Sequence, residues 1–189
     1  NLMNSYYSRK NNEKYFTWRF FACPLPSTLY VVTTKENLII GAYGVNIFML
    51  TNGKRCGLTL DLIISDAYRQ RGLFLLLEEK VNKFAKKHHC SYLLCLPNIA
   101  GMKAHTKIEG WQMIKTIPIL TLNPNIMKSK KEQTFKAGSD KEQVSFEYSE
   151  KLFKWRFKEN PEYKYLHVKS GKCQSYIKIF SDAVKNITV

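Results

Sequence analysis

The residues best placed to do chemistry lie together in Leu60-Asp61-Leu62-Ile63-Ile64-Ser65-Asp66-Ala67-Tyr68-Arg69-Gln70-Arg71-Gly72-Leu73-Phe74. An apolar run leads into a basic turn containing Gly72, and an amphipathic pattern opens at Leu73. A helix start presents backbone N–H groups that its own helix does not use, together with a partial positive charge, so such a turn suits an anion. Arg69 and Arg71 add charge, and Gly72 lets the backbone approach phosphate oxygens closely. The turn matches neither GxxxxGK[ST] nor GxGxxG, which disfavours a nucleoside-triphosphate loop or a dinucleotide fingerprint. The plain alternative is a strand-to-helix loop with surface arginines. Asp61, on the strand before the turn, is a candidate general base or a structural ion-pair partner. Simple alternation puts it with Ile63 on one face and Leu60, Leu62 and Ile64 on the other. His88-His89-Cys90 with Cys95 lacks the four converging ligands of a zinc site, and no metal is expected.

The elements that must position these residues follow from periodicity. Residues 11–21 place Tyr15, Trp18 and Phe21 three apart on one helical face, and Cys23-Pro24-Leu25-Pro26 ends that helix. Leu29–Thr33 and Leu38–Leu50 read as a hairpin about Lys35-Glu36-Asn37. Thr51-Asn52-Gly53-Lys54 turns the chain again into a strand over Leu58–Ile64. Leu73, Leu76, Leu77, Val81 and Phe84 then recur at helical steps to about Lys87, with Glu78, Glu79, Lys83 and Lys86 mostly outward. A strand over Ser91–Leu96, a helix over Ile99–Ile108 ended by Gly110, and a strand over Trp111–Leu122 complete an α/β or α+β pattern. Residues 123–145 lose periodicity and read as a linker or exposed loop. A helix over Glu147–Lys158 and strands near Tyr163–Val168 and Ser175–Phe180 follow.

Composition bounds the answer. The chain has 189 residues, 44% hydrophobic and 24% charged, enough for a buried core. No apolar run approaches the roughly 20 residues of a membrane-spanning helix. The formal net charge of +15 is spread along the chain and attracts anions in general, or simply solubilises the surface. It forms no stripe interleaved with aromatics, and no nucleic-acid-binding motif accompanies it, which argues against a nucleic-acid partner. Five scattered cysteines without a CxxC pair favour reduced thiols and a cytoplasmic location. A start at Asn1 with no signal-like segment reads as a trimmed or partial chain.

The chain also echoes itself. Phe16-Thr17-Trp18-Arg19-Phe20-Phe21-Ala22-Cys23-Pro24 is matched by Phe153-Lys154-Trp155-Arg156-Phe157-Lys158-Glu159-Asn160-Pro161, each copy an aromatic helix before a strand. A repeat this long points to duplication of a domain, of which the second copy is partial. Trp18 and Trp155 read as core aromatics. Arg19 and Arg156 read as partners of acidic groups or contacts for an anionic acceptor.

Arg69-Gln70-Arg71-Gly72-Leu73-Phe74 resembles the cofactor motif of the GNAT acyltransferase superfamily: Arg or Gln, two residues, Gly, one residue, then Gly or Ala. Phe74 departs from the small final residue. The amphipathic helix, the strand after it, Pro97-Asn98 and a closing Gly110-Trp111 also agree, so the resemblance covers roughly residues 13–121. The Trp-Arg-Phe segments resemble a bacterial branch that often carries two such domains, some tied to cell-surface sugar modification. The resemblance implies an α/β GNAT-like fold, with a mixed, mostly antiparallel sheet flanked by helices. The expected division is a full domain over 1–122, the linker 123–145, and a partial second GNAT-like repeat over 146–189. That half-domain must dock on the first, or pair with another chain as a homo-oligomer, or lack its remainder.

The resemblance further implies acetyl-CoA or another acyl-CoA as cosubstrate and an amine acceptor, in one reading an amino sugar. Backbone N–H groups of Gln70, Arg71, Gly72, Leu73 and Phe74 would hold the pyrophosphate beside Arg69. The pantetheine would run along Leu62, Ile63 and Ile64 like an added strand. Asp61 would be the general base. Asn98 would contact the pantetheine or, on the local reading, cap the helix after Pro97. Many members carry a Tyr four residues before the closing Gly as the acid for the leaving thiolate. Thr106 stands there instead, leaving His105 as the neighbouring candidate acid or as a structural residue. A non-catalytic relative on the same scaffold is the alternative.

Overall fold

The apolar stretch after the Lys35-Glu36-Asn37 turn is long enough to cross a whole sheet, and it does. A computed structural model describes Leu2 and residues 13–114, 144–170 and 173–178. In it, strand β2 (Ile39–Met49) is buried along almost its entire length. It is flanked by β1 (Ser27–Thr33) and β3 (Arg55–Ile64), and β4 (Cys90–Cys95) completes a sheet of order β1-β2-β3-β4. The first two pairings are antiparallel and β3–β4 is parallel, so helix α2 (Leu73–Lys87) serves as the crossover.

Both faces of β2 are covered, in the alternation a strand imposes. Tyr43, Val45 and Ile47 pack against Leu77 and Val81 of α2. Ala42 packs with Ile63, Leu29 and Phe16, and Phe48 joins Tyr15, Trp18, Leu152 and Trp155 on the opposite face. Helix α2 has the bounds expected from its pattern, with one correction. Glu78 is only 3% exposed while Leu76 is 44% exposed, because the buried stripe runs through Leu77, Glu78, Val81 and Ala85. The Glu78 carboxylate has polar company inside: Asn82 donates to it at 3.1 Å, and the Tyr43 hydroxyl faces it and Thr59.

The N-terminal helix also departs from simple periodicity. Helix α1 (Glu13–Phe16) widens into a π-turn over Thr17–Phe21, closed by the Ala22 N–H donating to the Thr17 carbonyl at 2.7 Å. This i→i+5 register rotates the following residues, so Phe20 is buried and Phe21 is 80% exposed. Gly44 makes room for it: a Cβ there would lie 2.6 Å from Phe20 Cζ.

The echoed sequence builds the same local structure again. Helix α4 (Glu150–Phe153), capped by the Ser149 hydroxyl accepting from the Leu152 N–H, runs into a π-turn over Lys154–Lys158. There the Glu159 N–H donates to the Lys154 carbonyl at 3.0 Å. The two turns hold each other reciprocally across 137 positions. Trp18 Nε1 donates to the Trp155 carbonyl and Trp155 Nε1 to the Trp18 carbonyl, each at 2.8 Å. Their rings stack at 5.0 Å. Strands β5 (Tyr165–Ser170) and β6 (Cys173–Lys178) then form an antiparallel hairpin, with Tyr176 stacked on Phe157 at 4.1 Å.

The chain divides into two compact units, residues 1–96 with 145–189, and residues 97–144. In the second, helix α3 (Ile99–His105) ends earlier than its apolar pattern suggests, followed by turns to Gly110 at φ +89. Residues 111–114, expected to begin a strand, are not one. Residues 115–122 of that expected strand, and most of the expected 123–145 linker, lie outside the described residues. Among the described residues no helix is long and apolar enough to cross a membrane.

Trp155→Ala removes the stack and the indole N–H that the Trp18 carbonyl accepts, while the backbone carbonyl at 155 stays. It is expected to destabilise the fold by about 3–5 kcal/mol in urea melts. An unchanged midpoint would show that residues 145–178 are not part of the cooperative unit.

Candidate functional site

The basic turn is built tightly from its own residues. After β3 the Ser65 N–H donates to the Ile40 carbonyl at 2.9 Å, and Asp66–Tyr68 form a single 3-10 turn. Arg69 folds back on this turn: its Nε donates to the Ile64 carbonyl at 3.2 Å and its Nη2 pairs with Asp66 at 2.6 Å. The Arg71 guanidinium lies 5.2 Å from the Tyr68 ring centre. Gln70 at φ +61 and Gly72 at φ +75 are both in the left-handed region, and Gly72 is the residue that caps α2. It brings no side chain to the helix start, and the first bond along α2 runs from the Leu76 N–H to the Gly72 carbonyl. The opening amides of α2 are therefore not used within the helix. Phe74 does not crowd the loop. It is half-buried against the α2 core, 6.5 Å from the Tyr43 ring.

Two irregularities in β3 shape what lies before the turn. Pairing with β4 runs from Arg55 to Thr59 and stops. Among the described residues no strand pairs with Leu60–Ile64 on that side. The side chains of Leu62, Ile63 and Ile64 are committed to the cores, so what this edge offers a ligand is backbone. On the β2 side, Ala42 faces Ile63 and Gly44 faces Leu60, so Asp61 and Leu62 together oppose Tyr43 alone. This is a β-bulge, with Asp61 at φ +56.

The bulge decides where Asp61 points. Leu58 packs on the Trp18 side of the sheet and Thr59 faces Glu78's side, so unbroken alternation would send Asp61 toward α2. The extra residue returns it to the face of α1 and the first π-turn. There its Oδ2 meets Arg19 Nε at 2.7 Å. Arg19 Nη1 donates to the Tyr15 hydroxyl at 2.6 Å. Burial raises the Asp61 carboxyl above its ordinary 3.8, against the opposing pull of Arg19. Burial also raises the Tyr15 phenol, reinforced by the Asp61 charge. The sequence pointed to Asp61 as an ion-pair partner and to Arg19 as a partner of some acidic group, but did not join the two, and it did not point to the Tyr15 hydroxyl. The i,i+4 spacing of Tyr15 and Arg19 was a legible signal; the bulge had none.

The remaining expected residues belong to the second unit. The Asn98 side chain accepts from the Gly101 N–H at 2.8 Å and caps α3. His105 is 4% exposed, with its Nδ1 donating to the Gly101 carbonyl at 2.8 Å and its ring edge-on to Trp111. The Thr106 hydroxyl donates to the Met102 carbonyl at 3.0 Å. All three have the local bonds of a short helix.

No family model and no curated protein matches the chain. Solved structures do. An aminoglycoside acetyltransferase from an uncultured soil metagenomic sample superposes with a TM-score of 0.50 at 13% identity, covering 64% of this chain and 81% of the other. The chain has the GNAT fold. Glucosamine-6-phosphate N-acetyltransferase from Arabidopsis thaliana aligns at TM-score 0.48 and 16% identity, over 62% of this chain and 86% of its own. A Trypanosoma brucei acetyltransferase aligns at 0.45 and 18%, over 51% and 69%. The four-stranded mixed sheet with its crossover helix α2 is the part of the GNAT fold that carries the basic turn.

Because the folded Asp61 carboxyl titrates above 3.8, the folded state holds its proton where the unfolded chain has released it. The stability contributed by the protonated form is lost as pH rises from about 4 through the folded value. Asp61→Asn stays neutral throughout. The variant is therefore expected to gain on the wild type in urea midpoint as pH rises above about 4. A wild-type advantage that grows over that range would contradict the direction.

Proposed function

We propose that the protein is an N-acyltransferase that moves an acetyl group from acetyl-CoA to an amine acceptor by direct attack in a ternary complex. The observation that carries this reading is the continuous path from the edge of β3 at Leu60–Ile64, unpaired among the described residues, into the Gly72 turn and the start of α2. An extended pantetheine amide chain finds strand-like backbone partners on that edge. A pyrophosphate finds the amides of Gln70–Phe74 and the positive end of a long helix.

The acceptor amine attacks the thioester carbonyl carbon, the carbonyl electrons pass to oxygen and return, and the thiolate leaves. Asp61, with its raised carboxyl, receives the proton that the amine loses. The leaving thiolate is protonated from solvent, because Thr106 is too weak an acid and His105 Nδ1 is held by Gly101. The aminoglycoside acetyltransferase neighbour supports an amino sugar as the acceptor class, and a cell-surface polysaccharide precursor fits the resemblance of the Trp-Arg-Phe segments. In this reading the GNAT-like domain covers 1–122, residues 146–189 are a partial second repeat, and the enzyme works in the cytoplasm.

Calorimetry with acetyl-CoA tests the cofactor. Gly72→Asp places a side chain at φ +75 and a negative charge before the amides, and should weaken binding by about 10-fold or more. Wild type that binds no acyl-CoA would overturn the reading. The second reading, a non-catalytic GNAT-like binding protein, is favoured by Thr106, whose hydroxyl is spent on Met102. Thiol release with a panel of amino sugars, lost in Asp61→Asn, would exclude it.

A further inference from the structure

The ion pair Arg19–Asp61 is tied to the C-terminal segment by a short chain of bonds, all within one compact unit. In the first π-turn the Ala22 N–H reaches back to the Thr17 carbonyl, where an α-helical register would have taken Trp18. The Trp18 carbonyl accepts the Trp155 indole N–H instead. Arg19 is the next residue. Its guanidinium is held from two directions, by the Tyr15 hydroxyl on Nη1 and by Asp61 on Nε. The echoed Arg156, by contrast, is exposed.

We infer that Arg19 is the positioning residue of the Asp61 carboxylate, and that residues 145–158 serve this site by clamping, through Trp155, the π-turn that presents Arg19. The inference rests on the reading of Asp61 as the proton acceptor. It assigns the second Trp-Arg-Phe segment a duty toward the first domain's chemistry.

The reach is short at every step. Trp155 is 3% and Trp18 6% exposed, so neither bond competes with water. Asp61 sits at a bulge whose backbone is turned toward this face, and its side chain is mostly buried. The groups that bear on the pair come from each neighbouring element: Tyr15 from α1, Arg19 from the π-turn, and Arg156 and Glu162 of the C-terminal segment, whose charges act on Tyr15. Among these, Arg19 alone bonds the carboxylate directly.

The test is the titration of Asp61 followed by NMR on protein labelled at the aspartate carboxyl carbon, with Asp61→Asn to assign the signal. Arg19→Gln removes the cation that holds the proton off, and should raise the Asp61 value by about one pH unit or more. Arg19→Lys, which keeps the charge, should restore most of the wild-type value, and Arg19→Met, also neutral, replaces Arg19→Gln if that variant does not fold. Trp155→Phe keeps a ring in the stack but loses the N–H. It should move Asp61 in the same direction as Arg19→Gln by a smaller amount. In an acetyl-transfer assay the acidic limb of kcat/KM should shift in parallel. Unchanged Asp61 titration in the neutral Arg19 variant overturns the positioning role, and an unchanged value in Trp155→Phe overturns the clamp. If the wild type transfers no acetyl group, the proposed reaction fails, while the titration still decides whether the clamp and Arg19 set the carboxylate.

Discussion

One extra residue in β3 governs much of this structure. Opposing Asp61 and Leu62 to Tyr43 alone forces the chain through φ +56 at Asp61 and reverses which side chains face α2. Ahead of the bulge, Thr59 belongs to the α2 face; beyond it, Leu62 and Ile64 do. Without that change of phase Asp61 would face Glu78, two carboxylates under one sheet. With it, Asp61 meets Arg19. The parallel pairing with β4 ends at Thr59, just before the bulge, so the same short stretch leaves a backbone edge unpaired among the described residues and reorients a carboxylate.

A second constraint holds the face that receives Asp61. A π-turn is an unfavourable way to continue a helix unless something uses the carbonyls it releases. Here two such turns use each other's. Each Trp indole N–H goes to the other Trp carbonyl, and the stack between them fills the space over Phe48. Neither turn has this arrangement alone, which gives a physical reason for the Trp-Arg-Phe pattern to occur twice in one chain.

These two devices mark the limit of what the sequence made legible. The hairpins, the Gly53 and Gly72 turns and the bounds of α2 follow from local patterns: alternation, Asn-Gly, a Leu stripe ended by lysines. The basic turn was legible for the same reason, since charge and glycine act where they stand. The π-register was not, because helical spacing predicts Phe21 inward where the wider turn buries Phe20. Apolar spacing places Glu78 outward because it does not announce a buried carboxylate whose partners are Asn82, a turn away, and the Tyr43 hydroxyl from a strand. The Arg19–Asp61 pair joins residues far apart in the chain and depends on a bulge without a glycine to signal it. Asn98 and His105 were found by position alone, and their bonds turned out to be those of a helix cap and a helix end.

The proposed acyl-CoA site is one continuous surface, the edge of β3 that is unpaired among the described residues followed by the Gly72 turn. Backbone amide shifts recorded while coenzyme A is added test it most directly. Leu60–Ile64 and Gln70–Phe74 are expected to move together and saturate with a single affinity. Shifts confined to scattered surface lysines, with both segments unmoved, would contradict it.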